Sequence, residues 1–129
     1  MSFTCIELGI TDDPDFGCTI TLSDTKNKKY AEFQILDHVI DFKEKYLLIQ
    51  RSYPEARYEN DYYYIESSET DVELDYRDKI VIYFLQDKLK IQWSGAEVLI
   101  NLELEEKEIS HLRKTIKKRF KEKVILIEQ

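Results

Sequence analysis

The residues best suited to recognition chemistry crowd into one stretch. Residues 53–78 hold nine Asp and Glu against two Arg, and Tyr53, Tyr58, Tyr62, Tyr63, Tyr64 and Tyr76 fall among them. Clustered carboxylates steer a basic partner toward the surface, and tyrosine brings apolar area with a polar tip, a combination favoured at protein interfaces. The candidate contact residues are Tyr58, Glu59, Asp61, Tyr63, Glu66, Glu69, Asp71 and Glu73. The plainer alternative is that acids at alternate strand positions form a solvated face.

Groups for catalysis or metal binding are sparse. His38 lies between Asp37 and Val39, and His111 lies in a helical pattern, neither beside a nucleophile. Asp12, Asp13 and Asp15 are interrupted by Pro14 and lack the alternation and closing glutamate of a calcium loop. Cys5 and Cys18 sit on strand-like patterns with no nearby histidine, which predicts reduced, buried thiols rather than a zinc site or a disulfide. No Gly-x-Ser-x-Gly, Walker or Cys/His pattern is present. The expectation is a protein that is not an enzyme, with no cofactor and no metal site.

Charge sharpens the choice of partner. The chain has 129 residues and a net charge of -7. Residues 1–24 carry five acids and no base, while residues 105–129 carry eight bases against five acids. An acidic surface repels phosphate backbones, so nucleic acid is not the expected partner. The cations at Arg113, Lys114, Lys117, Lys118, Arg119, Lys121 and Lys123 suit the end of a helix dipole. No apolar run approaches the roughly 18 residues of a membrane helix. No secretory or lipidation signal is visible, and the expected location is cytoplasmic.

These residues need elements to hold them. Cys18, Ile20 and Leu22 alternate with threonines, and Leu89, Ile91 and Trp93 alternate with polar residues, the period of a half-buried strand. Val72 and Leu74 alternate with acids, and Ile80 to Leu85 is apolar on both faces. Phe3 to Leu8, Tyr30 to Leu36, Tyr46 to Arg51, Tyr62 to Glu66 and Val98 to Leu102 complete the strand set. Polar breaks at Gln86-Asp87 and Ser94-Gly95 are hairpin-sized, which implies mostly antiparallel pairing. Ile109, Leu112, Ile116 and Phe120 form the stripe of a helix over about 105–123. Val124 to Ile127 either extends that helix or forms a last strand. The prediction is one α+β domain over 1–129, β-rich over 1–104. A curved, mostly antiparallel sheet of about seven to nine strands packs on the C-terminal amphipathic helix.

A longer order of motifs is also present. Tyr46-Leu47-Leu48-Ile49-Gln50-Arg51 is followed by acids and then Tyr62-Tyr63-Tyr64-Ile65-Glu66. Val72-Glu73-Leu74, Lys79 to Phe84, the strand at Val98 to Leu102 and the helix stripe come next. Over about residues 46 to 121 this order resembles the immunity protein 10 family of bacterial polymorphic-toxin systems. The best-matched strand residues are Tyr46, Gln50, Arg51, Tyr64 and Glu66, although Arg51 and Glu66 could simply pair across neighbouring strands. The sequence departs from the family where Ser67-Ser68-Glu69-Thr70-Asp71 replaces a Gly-rich turn. The resemblance implies a protein that binds and neutralises a cognate toxin domain, and the expected state is a monomer or homodimer. Two other readings compete. A structural or assembly module of a phage or secretion system would expose an edge strand or apolar patch. A small-ligand binder would enclose a pocket near Tyr62, Tyr64 and Trp93.

Overall fold

The computed structural model describes residues 1–26, 44–54, 60–74 and 77–129. The expected strand Tyr30 to Leu36, together with His38, Tyr58, Glu59 and Tyr76, lies outside the described residues.

Among the described residues, ten strands and one helix follow in chain order: β1 (Ser2–Cys5), β2 (Glu7–Asp13), β3 (Gly17–Ser23), β4 (Tyr46–Ser52), β5 (Tyr62–Ser67), β6 (Asp71–Leu74), β7 (Ile80–Leu85), β8 (Lys88–Trp93), β9 (Ala96–Leu102), α1 (Glu106–Arg119) and β10 (Val124–Glu128). The α+β class is as expected. The strands are divided, however, between two sheets of five. Sheet I has the order β1-β9-β8-β7-β10, and sheet II is the meander β2-β3-β4-β5-β6.

The division starts at Ile6, inside what reads as a single strand. The Cys5 carbonyl accepts from Glu103 N–H after β9, whereas Ile6 N–H donates to the Ser23 carbonyl in sheet II. One residue thus hands the chain from one sheet to the other. Alternation then orients each strand. Ile20, Leu22, Leu47, Ile49 and Ile65 of sheet II and Ile80, Ile82, Phe84, Leu89, Ile91, Val98 and Ile100 of sheet I are buried in one core cluster.

The turns follow the residues available. Ser94 and Gly95 both adopt positive φ, 43° and 81°, as a two-residue hairpin between right-twisted strands requires. The turn after Glu66 works without glycine. Ser67 Oγ accepts the N–H groups of Glu69 and Thr70, and Ser67 N–H donates to the Thr70 carbonyl. A side-chain hydroxyl supplies the local bonds, and neither Ser68 nor Glu69 takes positive φ.

Helix α1 starts with the Glu105 N–H donating to Glu108 Oε1, half of a capping box. Leu112, Ile116 and Phe120 are buried as the stripe requires, and Thr115 joins them by bonding its hydroxyl to the His111 carbonyl. The helix ends at Arg119, earlier than the expected 123, because Lys123 and Val124 N–H both turn back to the Phe120 carbonyl. That turn releases Val124 to Glu128 as β10, which resolves the open alternative in favour of a strand. β10 lies parallel to β7, and β1 lies parallel to β9. α1 is the crossover that a parallel return needs. It packs across both sheets: Phe120 meets Tyr63 of β5, and the Arg113 guanidinium lies 4.4 Å from the Phe84 ring of β7.

Candidate partner-binding surface

The sequence-derived site residues that the structure describes lie on the strands of sheet II or in the segments beside them, and β4 and β5 split theirs between two faces. In β4, Leu47 and Ile49 are buried, so Arg51 shares the core side and Tyr46, Leu48 and Gln50 face outward. In β5, Tyr63 and Ile65 are buried, so Tyr64 and Glu66 face outward. The register sets Gln50 opposite Tyr64 and Leu48 opposite Glu66.

The outward face holds a compact polar lattice. Tyr46 donates its hydroxyl to one Glu66 carboxylate oxygen, and Tyr64 donates to the other at 2.6 Å. Gln50 Nε2 donates to Thr19 Oγ1 at 3.1 Å. Burial, followed by the hydrogen bond to Glu66, pushes the Tyr46 hydroxyl above the ordinary tyrosine range. In the register of β6, Asp71 stands opposite Glu66 and Glu73 opposite Tyr64. Glu69 is exposed in the turn between the two strands.

The core-facing side is different, and it corrects three expectations. Arg51 does not pair with Glu66. The two are on opposite faces, and Arg51 Nε donates to Asp61 Oδ2 at 2.6 Å, with Nη2 on the same oxygen. Arg51 Nη1 donates to the Arg119 carbonyl at 2.6 Å. Asp61 is therefore engaged with Arg51 rather than offered freely to a partner. Burial opposes the Arg51 charge, but the hydrogen bond to Asp61, together with Tyr63 and Tyr53, raises the guanidinium pKa. Tyr63 is 8% exposed and packs beneath Phe120, so it belongs to the core. Strand parity carried this signal: Arg51 lies two residues from Ile49, and Tyr63 two from Ile65.

Arg51, Asp61 and Tyr63 also line a cleft of about 500 Å³ with Asn60, Glu122 and Lys123. Lys123, expected among the cations at the end of the helix, lies beyond α1. Its side chain is instead 3% exposed, with Nζ 5.3 Å from the Tyr63 ring centre. A second brace joins the edge strand β2 of sheet II to the helix, where Arg119 Nε donates to Asp12 Oδ2 at 2.9 Å.

Trp93 is 3% exposed within sheet I, whereas Tyr62 and Tyr64 belong to sheet II. Tyr64 faces outward from sheet II while Trp93 is buried, so these two side chains do not meet among the described residues. Among the described residues, no group of three or more His, Cys, Asp or Glu could hold a metal ion, and no helix is long and apolar enough to cross a membrane. No family model matches the chain, and neither curated proteins nor solved structures provide a match.

Proposed function

We propose that this chain is an immunity protein that binds a bacterial toxin domain and blocks it, using the outward face of sheet II as part of the contact. The observation that carries the reading is the Tyr46–Glu66–Tyr64 lattice. Two tyrosine hydroxyls converge on one carboxylate, and the register sets Asp71 and Glu73 opposite Glu66 and Tyr64. Such a face presents aromatic area already fixed in place, with negative charge at its edge. Fixed side chains lose little entropy on docking, and the charge accelerates encounter with a basic partner. The resemblance over residues 46 to 121 points the same way. On this reading the protein acts by occupying the toxin's working surface and performs no chemistry of its own.

The test is a mixture with the toxic C-terminal domain encoded beside the chain's gene. A soluble 1:1 complex and restored growth of toxin-expressing cells are expected. Replacing Glu66, Glu69, Asp71 and Glu73 by Lys together should lower the association rate about tenfold or more, with a reduced salt dependence. Absence of any complex with that domain would sink the immunity reading. A complex formed at an unchanged rate would sink the acidic-face mechanism alone.

A second reading has one observation in its favour. β10 is an edge strand of sheet I, and its Ile125 is 48% exposed, as is Leu99 of β9. An assembly module would use that edge to pair with another subunit. Mass measurement across a concentration series separates the two: a concentration-dependent oligomer favours assembly, and a persistent monomer opposes it.

A further inference from the structure

Phe16 is the most exposed large apolar side chain among the described residues, at 76%. It is not on a loose end. It closes the Pro14–Phe16 connection between β2 and β3, and three bonds fix that connection. Asp13 Oδ1 accepts the N–H groups of Asp15 at 2.8 Å and of Phe16 at 3.1 Å. The Phe16 carbonyl accepts from Tyr53 N–H at 2.9 Å. Gly17 then passes so close to β4 that a Cβ there would lie 2.0 Å from the Arg51 carbonyl oxygen. The backbone is held while the ring points into water.

A second aromatic shares this end of sheet II. The register runs Gly17, Ser52, Tyr62 across three strands, and Tyr62 is 45% exposed. Two strand spacings separate these positions, about 10 Å. Beside Phe16 lies a hollow of about 260 Å³ lined by Thr11, Asp13, Thr19, Gln50, Arg51 and Ser52. The turn itself is acidic: Asp13 lines the hollow, Asp15 is exposed beside Phe16, and residues 1–24 contain no Lys or Arg.

We propose that Phe16 is the aromatic anchor of the docking surface, with Tyr62 as a second contact, and that the partner is a protein with an apolar pocket ringed by Lys or Arg. This deepens the immunity reading and rests on it. The chemistry selects the class of partner. An exposed rigid aromatic is the residue type that dominates interface energetics when it enters a pocket. The acids around it repel nucleic-acid phosphates and anionic lipid, and they complement a basic protein surface.

The experiment measures the affinity of the adjacent-gene toxin domain for the full chain and for three variants. Phe16→Ala should weaken binding about 30-fold or more, the scale of an interface anchor. Its thermal midpoint should stay unchanged, because the ring covers little of its own fold. Phe16→Trp should bind within about threefold of the parent, and Asp15→Lys should chiefly slow association. If the parent binds and Phe16→Ala binds equally well, the anchor is wrong and the immunity reading stands. If the parent does not bind, the immunity reading fails and takes the anchor with it.

Discussion

The Arg51 side chain of β4 donates to the main-chain carbonyl of Arg119, the last residue of α1, at 2.6 Å. The last carbonyls of a helix have no partner within it and carry partial negative charge. A guanidinium is the side chain best shaped to serve such a carbonyl and a carboxylate together. Here it takes the Asp61 carboxylate on its other edge. Arg119 in turn sends its own side chain to Asp12 of β2. The end of the helix is therefore tied to β2, to β4 and to the segment entering β5, all through charged hydrogen bonds at the rim of the core.

That arrangement gives Arg51 a stability role. Arg51→Met should lower the unfolding free energy by about 2–3 kcal/mol, since it leaves both a helix-end carbonyl and a half-buried carboxylate without their donor. Asp61→Asn should cost less, about 1 kcal/mol, because the carbonyl contact survives. Urea denaturation of the two single variants and the double variant measures both the costs and their coupling. A loss below about 0.5 kcal/mol for Arg51→Met would show that the guanidinium is not what holds the helix end.

Tyr63 yields the opposite expectation. Its hydroxyl is buried and has no hydrogen-bond partner among the described residues, and burial raises its pKa above the ordinary value. A buried unsatisfied polar group costs about 1–3 kcal/mol. Tyr63→Phe should therefore leave stability unchanged or raise it by up to about 1 kcal/mol, whereas Tyr63→Ala should cost about 3–5 kcal/mol through the cavity under Phe120. Neither the melting temperature nor the toxin affinity should fall in Tyr63→Phe. A fall in affinity with an unchanged melt would return Tyr63 to the contact surface.

The helix stripe and the strands at Cys18–Leu22 and Leu89–Trp93 were legible because one face of each element is apolar, and periodicity reports burial directly. The inward placement of Arg51 and Tyr63 was legible in principle, from parity with Ile49 and Ile65, but their polar ends argued for solvent. The split into two sheets was not legible. It occurs at Ile6, with no Gly or Pro to mark it, and depends on which strands Cys5 and Ile6 meet in space. The parallel seating of β10 on β7 is likewise a tertiary choice. The outward direction of the Phe16 ring has no periodic signal in its short connection, and only the folded backbone sets it.

The two positive-φ glycines of the described residues should respond differently to alanine. Gly17 has φ of +141° and no room, since a Cβ would meet the Arg51 carbonyl carbon at 3.0 Å as well as its oxygen. Gly95 has φ of +81° with open space around it. Gly95→Ala therefore meets only the backbone penalty, about 1 kcal/mol. Gly17→Ala must also push β3 away from β4, and the expected loss is on the order of 3 kcal/mol. Chemical denaturation checks both values, and equal losses would mean that the β3–β4 approach at Gly17 yields without cost.

The thiols supply a pH-dependent prediction. Cys5 and Cys18 are free and buried, at 0% and 1% exposure. Burial is the main cause that pushes each pKa from 9.0 up to about 11, with Asp12 adding to the rise at Cys18. A thiol reagent at pH 8 should find neither group in the folded protein and both in denaturant. The linkage follows from proton counting. Between about 9 and about 11 the unfolded chain has already lost its thiol protons while the folded chain keeps them. Stability is thus fully present below the unfolded pKa and declines as pH rises through this window. Thermal melts from pH 8 to pH 11 should show that decline, and the double variant Cys5→Ala, Cys18→Ala should show a shallower one. An identical slope in the double variant would remove the thiols as its cause.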